Sequence, residues 1–298
     1  MNSHHRDRRR ALATRMAGIA TACLLLAGCS GALFGALNVG AAAHDAPAES
    51  SVRFDPAHGL SLDVYRPATP RDGAPLVVFF YGGSWQNGSR ARYAFAGRAL
   101  AARGVVAVVP DYRLYPDVRF AAFMNDAARA VAWAHANARA LGADPARVFV
   151  MGHSAGAQIA ALLATDARYL AAEGLAPADL AGVIGVSGPY DVRPDGYPEL
   201  EDLFGPRDAW PLARPVNFVD PTDPPFLLLH GEADGTVWPS QSRRMAERLR
   251  EAGVAVRLRE YPGVGHVRPL LALRFPRLAP VLADTLAFID DPRLTPPP

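Results

Sequence analysis

The sequence predicts an α/β fold: a mostly parallel twisted sheet flanked by helices, with a small cap or lid inserted late in the chain. Three observations carry this. Through most of the 298 residues, apolar runs of strand length alternate with longer helical patterns, the order that builds βαβ units. The runs are continuous rather than alternating, as strands covered on both faces are. Half of the residues are hydrophobic, enough to fill one large core in a chain of this length.

Taken in order, the chain opens on arginines up to Arg15, followed by a charge-free stretch, "MAGIATACLLLAGCSGALFGALNVGAAA", the plan of an export signal. Within it Leu26 to Cys29, "LAGC", resembles a bacterial lipoprotein signal, cut before a cysteine that carries lipid. This reading makes residues 1–29 a signal and Cys29 a lipidation site, with the protein held by a membrane anchor and facing the periplasm or cell surface. Two others stay open: an uncleaved anchor from Met16 to Ala43, which is long enough to span a bilayer, and ordinary cleavage after "AAA". All three place the folded part outside the cytoplasm. Cys23 and Cys29 are the two cysteines of the chain, so the domain has no disulfide and no thiol nucleophile. Arg6, Arg8, Arg9, Arg10 and Arg15 against Asp7 give this leader +4, which leaves the rest at −2 in a chain of net +2. No nucleic-acid surface survives that subtraction.

Residues 30–50 read as a tether and 293–298, ending in "LTPPP", as a tail that cannot continue a helix. Between them, "SVRFDPAHGLSLDVYRP" looks like an antiparallel start to a domain over 51–292. The strand runs are "LVVFFY", "VVAVVP", "RVFVMG", "AGVIGVSG", "PFLLLHG" and "VAVRLREY". Helical patterns cover "YAFAGRALAAR", Phe120 to Leu141, "AQIAALLATDARYLAA", "SQSRRMAERLREAG" and Pro269 to Ile289. The Pro- and Asp-crowded stretch from Tyr190 to Pro225 breaks the alternation. A connection this long in a compact domain is usually functional, so it reads as a cap or pocket wall, with Tyr190, Phe204 and Trp210 as lining residues and Trp85 and Trp238 as further wall.

The chemistry centres on "VFVMGHSAGAQIAALLA". Ser154 lies at a strand-to-helix join inside Gly152-His153-Ser154-Ala155-Gly156, the G-x-S-x-G elbow in which flanking glycines allow a sharp turn that exposes the hydroxyl. A serine hydroxyl needs a base, and the base needs an acid to fix its tautomer. After Ser154 the chain offers His230 and His266. His230 closes the strand "PFLLLH" and reads as structural; His266, in the loop "YPGVGH", is the expected base. Asp234, in the loop after that strand, is the expected acid, with Glu232 the near competitor and Asp220 or Asp223 more distant. Activity should then rise with pH as the imidazole becomes neutral.

"YGGSW", Tyr81 to Trp85, supplies what acyl transfer also requires, bare N–H groups where negative charge forms on the former carbonyl oxygen. Gly82 and Gly83 with Ala155 are the expected oxyanion hole. Trp85 either holds the loop still or walls the pocket. His58 and His135 read as isolated, with no second ligand at metal spacing, and no phosphate-binding fingerprint is present.

In order along the chain, "YGGSW", "PDYRL", "GHSAG", "HGEADGTV" and "GVGH" resemble the α/β-hydrolase superfamily, in its bacterial carboxylesterase branch near hormone-sensitive-lipase-like and feruloyl-esterase-like enzymes. The resemblance covers about Ser51 to Ile289. It implies a serine esterase acting on small-molecule esters through an acyl enzyme, without metal or other cofactor, and a bracing role for "PDYRLYP" under the oxyanion loop. One position departs: where the branch commonly carries histidine before the glycines, this chain has Tyr81. The same triad also serves amide hydrolysis, of the arylformamidase or peptidase kind, and a surface binding module that has lost turnover is the reading from another class.

Overall fold

The computed structural model describes residues 38, 48–69 and 73–293. The expectations for the leader, most of the tether, Cys29 and most of the tail lie outside the described residues. Among the described residues no helix is long and apolar enough to cross a membrane.

Eight strands form one sheet in the order β1-β2-β4-β3-β5-β6-β7-β8. β1 (Ala48–Asp55) and β2 (Leu60–Arg66) make the antiparallel start, and β2 pairs antiparallel with β4 (Val106–Pro110). The remaining neighbours run parallel: β3 (Ala74–Phe80), β5 (Ala143–His153), β6 (Gly182–Val186), β7 (Phe226–Gly231) and β8 (Val256–Tyr261). Apart from residues 144–147 at the start of β5, β3 to β7 are almost wholly buried, which is why their sequences are dominated by Val, Leu, Ile and Phe.

The helices are α1 (Ala94–Ala101), α2 (Phe120–Asn137), α3 (Ala155–Thr165), α4 (Ala167–Ala171), α5 (Pro198–Phe204), α6 (Ser240–Glu251), α7 (Arg268–Ala272) and α8 (Val281–Asp290). Three of the boundaries that differ from the sequence reading have a clear local cause. β1 begins at Ala48, inside the stretch read as tether, because Ala48 to Val52 pair with Arg66 to Leu62 at a sheet edge where polar residues are tolerated. The helix expected over "AQIAALLATDARYLAA" breaks at Asp166, whose side chain caps a new helix by accepting from the Arg168 N–H. The last helical stretch divides into α7 and α8, since Pro276 and Pro280 lack the N–H a continuous helix would use.

The parallel strands all point their C-terminal ends to one edge. In open α/β sheets that edge is where ligands bind, and here the loops after β3, β5, β7 and β8 carry Gly82 and Gly83, Ser154, Asp234 and His266. Register sets their spacing: Phe80 is paired with Gly152, so the loop leaving β3 lies beside the elbow leaving β5. Every residue of α3 is buried. Its small residues let it press on the sheet, and a side chain on Gly156 would overlap the Phe80 carbonyl, as one on Gly152 would overlap that of Gly156.

Candidate active site

Ser154 occupies the sharp turn between β5 and α3 with φ 55° and ψ −121°, a left-handed conformation that costs a non-glycine residue about 1–3 kcal/mol. Its N–H is fixed to the Val186 carbonyl of β6 at 2.9 Å, and its hydroxyl is half-buried. His266, from the loop between β8 and α7, brings Nε2 to 2.9 Å from Ser154 Oγ. Its Nδ1 donates to Asp234 Oδ2 at 2.7 Å. Three side chains separated by 112 and 32 positions are thereby joined in one relay.

Asp234 is held from every side. Oδ1 accepts the N–H groups of Thr236 and Val237, both at 2.9 Å, and Oδ2 is also 3.2 Å from His230 Nε2. Burial by itself would raise its carboxyl, but hydrogen bonds from His230 and His266, the charge of His266 and the Val237 N–H outweigh it, and the group lies well below the usual carboxylate range. His230 is completely buried; Nε2 donates to the Val237 carbonyl at 2.9 Å and Nδ1 accepts from Ser242 at 2.6 Å. It thus steadies the Asp234 turn and makes no contact with Ser154, in keeping with its reading as structural. Glu232 and Asp220 are exposed, and Asp223 is bound to the Asp220 N–H at 3.1 Å; none is the partner of His266.

His153, beside the nucleophile, is a residue the sequence reading passed over. Nε2 donates to the His266 carbonyl at 3.1 Å, and the two rings are 4.9 Å apart. Burial first, and the neighbouring charge of His266 second, push its pKa down to about 3. It therefore stays neutral across the ordinary pH range and adds no charge beside the relay.

The loop after β3 is braced by tyrosines. Tyr81 stacks between Tyr93 and Tyr112, with ring centroids 5.4 and 4.5 Å away, and its hydroxyl donates to Asp111 at 3.3 Å. Tyr112 donates to the Tyr81 carbonyl at 2.8 Å and Tyr93 to the Gly82 carbonyl at 3.2 Å. The Gly83 carbonyl accepts from Gln86 and Asn87. In a trans peptide the next N–H points opposite to each carbonyl, so anchoring these carbonyls turns the amides of Gly82, Gly83 and Ser84 the other way. Tyr112, in "PDYRLYP", does the bracing expected of that motif.

Replacing Tyr112 by Phe should leave a buried carbonyl unpaired, at a cost of about 1–3 kcal/mol, which thermal unfolding would register. If the brace also sets the amides, kcat should fall with little change in KM.

Gly82 lies tight against the elbow, where a side chain would come within 3.1 Å of Ser154 Cβ. Gly83 has φ 132°, and any side chain there would strike the Asn87 carbonyl. Ser84, the next residue, lines the cavity with φ 56°, a position in this loop that the sequence reading did not name. Ala155 opens α3 and lines the same cavity, its N–H at the helix N-terminus without an acceptor one turn back.

That cavity, about 390 Å³, has Ser154 in its wall. Trp85 and Trp238 line it, as expected, Trp238 being 70% exposed. Trp85 also packs: it is buried, donates to Gln158 Oε1 at 3.1 Å, and stands edge-on to Phe204 at 5.0 Å. Tyr190, Phe204 and Trp210 do not line it. Tyr190 is fully buried, its ring tip filling the space a side chain on Gly185 would need. Phe204 sits behind Trp85 against Phe120, and Trp210 donates to the Gly205 carbonyl at 2.8 Å. The wall is built from the first part of the Tyr190 to Pro225 segment, through Val192, Tyr197 and Leu200.

His58 is not isolated. It bonds Asp55 at 2.8 Å, and these two with Asp126 place ligand atoms within 4.8 Å of one another. Arg129 pairs with both carboxylates and Arg113 grips Asp126 at 2.7 and 2.8 Å, so the acidic charge is already balanced by guanidinium groups.

Residues 62–249 match the BD-FAE family. Esterase LipC of Mycobacterium tuberculosis (strain ATCC 25618 / H37Rv) is 36% identical over 232 residues, 70% of this chain and 57% of LipC. Carboxylesterase NlhH of the same strain is 32% identical over 260 residues, 80% of each chain. Among solved structures, esterase 2 of Thermogutta terrifontis, phosphoramylated by tabun, has a TM-score of 0.70 at 25% identity, covering 85% of this chain and 98% of that one. This chain spans little more than half the length of LipC. A match over most of the folded region, together with an eight-stranded sheet shared with esterases, shows that the chain belongs to the BD-FAE family, within the α/β-hydrolase superfamily its motifs resemble.

Proposed function

We propose that the protein is a serine hydrolase of carboxylic esters. The observation that carries this is the continuous relay from Ser154 Oγ to His266 Nε2 at 2.9 Å and from His266 Nδ1 to Asp234 at 2.7 Å, opening on a cavity. Ser154 Oγ attacks the ester carbonyl while His266 takes its proton. The oxyanion that forms is met by the amides of Gly83, Ser84 and Ala155. His266 then returns the proton to the departing alcohol, and the ester bond breaks to leave Ser154 acylated. Water, deprotonated by His266, releases the acid and restores the hydroxyl.

The esterase names of LipC and NlhH favour esters over amides. A panel of short and long 4-nitrophenyl esters beside the matching 4-nitroanilides separates the two. Ester turnover should exceed amide turnover and vanish in Ser154→Ala; the reverse preference would make it an amidase, and no turnover of either a binding module.

We further propose export, with Cys29 lipidated, on the strength of "LAGC" after an arginine-rich start. Mass spectrometry of the mature N-terminus should find a diacylglyceryl cysteine at Cys29; an unmodified start near His44 would refute lipidation.

A further inference from the structure

The Ser154 cavity is apolar over most of its wall, through Trp85, Val192, Leu200, Val237 and Trp238, yet two of its residues are charged. They differ sharply in access. Asp191 is buried with a side chain 2% exposed, whereas the Arg193 side chain is 61% exposed. Asp191 is also oversubscribed. Arg214 pairs with Oδ1, Arg244 with Oδ2 at 2.6 Å, and Arg193 with Oδ2 at the long distance of 3.4 Å. Its backbone is pinned as well, the N–H donating to Gln241 Oε1 at 2.6 Å. One carboxylate thus faces three guanidinium groups, and the cluster carries a surplus of positive charge.

Of the three, Arg214 is largely enclosed, its side chain 21% exposed, and Arg244 opens onto a neighbouring groove that Arg243, Glu247 and Arg250 also line. Arg193 alone of them lines the cavity with Ser154. Of the acids that follow it in the chain, Asp195 pairs with Arg207 at 2.7 Å and Glu201 accepts the Gly196 N–H at 2.9 Å. A buried carboxylate that loosely tethers an exposed guanidinium keeps it in place while leaving its other N–H groups for a ligand, and guanidinium forks suit oxyanions.

We propose that Arg193, positioned by Asp191, is the specificity-determining residue of this cavity, and that the preferred substrates are esters bearing a carboxylate or other oxyanion on an apolar body, remote from the scissile bond. This rests on the reading of Ser154 as an esterase nucleophile. The apolar wall takes the body of such an ester, and the surplus charge disfavours a cationic one.

The test compares kcat/KM at low ionic strength for two matched pairs, each rate divided by that of hydroxide. 4-Nitrophenyl monoadipate against 4-nitrophenyl heptanoate puts the anion on the acyl side; 4-acetoxybenzoate against phenyl acetate puts it on the alcohol side. The wild type should favour the anionic member of at least one pair by roughly tenfold, the size of a charge-assisted hydrogen bond, mainly through KM, and the preference should shrink as salt is added. Arg193→Gln should abolish it and Arg193→Lys retain part of it. Arg139→Gln, which deletes an exposed charge outside the cavity, should leave the ratio in place. Equal ratios in wild type and Arg193→Gln, or preference for the neutral member of both pairs, overturn the inference while neutral-ester hydrolysis still supports the esterase. Absence of hydrolysis for all four compounds overturns both.

Discussion

Ser154→Ala is expected to lower kcat for a good aryl ester by about a millionfold, the scale on which a serine triad fails when its nucleophile is removed. The size follows from the relay: without Oγ, His266 has no proton to accept at 2.9 Å, and only the amides and the cavity remain to favour the transition state. The fold should be untouched, because alanine keeps the same Cβ at the same φ of 55°. Ser154→Gly separates strain from chemistry. Glycine adopts that conformation freely, so this variant should be equally inactive yet unfold at a higher temperature, by the equivalent of about 1 kcal/mol. Stopped-flow kinetics should show a burst of the leaving group in the wild type if deacylation limits turnover, and none in either variant.

Asp234→Asn should be the next largest effect, about ten-thousandfold in kcat with near-native structure. The reason is tautomeric. Asp234 Oδ2 can only accept, so it obliges His266 to carry its proton on Nδ1 and offer a bare Nε2 to serine. An asparagine that presents its NH2 group to Nδ1 reverses that assignment. The carboxylate also links stability to pH. Its pKa is depressed in the fold from an ordinary value of 3.8, so its contribution is fully present above that value and is lost as pH falls through the lower folded one. Thermal unfolding midpoints of wild type and Asp234→Asn should therefore differ more at pH 6 than at pH 2.

The parts of the fold that were legible from sequence are those set by local pattern. Continuous apolar runs marked β3 to β7, and Gly152, Ser154 and Gly156 marked the elbow, since each of those glycines is needed for close backbone contact. The relay was legible because chain order and loop position limited the choice of His266 and Asp234. Lining residues were not. An aromatic in a Pro-rich segment can face a cavity or fill the layer behind it with equal local preference, and Tyr190, Phe204 and Trp210 were placed by packing against Gly185, Trp85 and Gly205. Ser84 was not singled out, because what it offers under the proposed mechanism is a backbone N–H, which residue type does not reveal. The arginines around Asp191 come from positions 193, 214 and 244, and nothing in the spacing brings them together before the Tyr190 to Pro225 segment folds against α6.

The central claim is that Ser154 is a nucleophile activated by His266 and Asp234. Intact-protein mass spectrometry after treatment with a fluorophosphonate tests it most directly. The account expects a single adduct that maps to Ser154, forms orders of magnitude more slowly in Asp234→Asn, and is absent from Ser154→Ala. Full esterase turnover with Ser154 unlabelled, or an adduct of unchanged rate in Asp234→Asn, would contradict it.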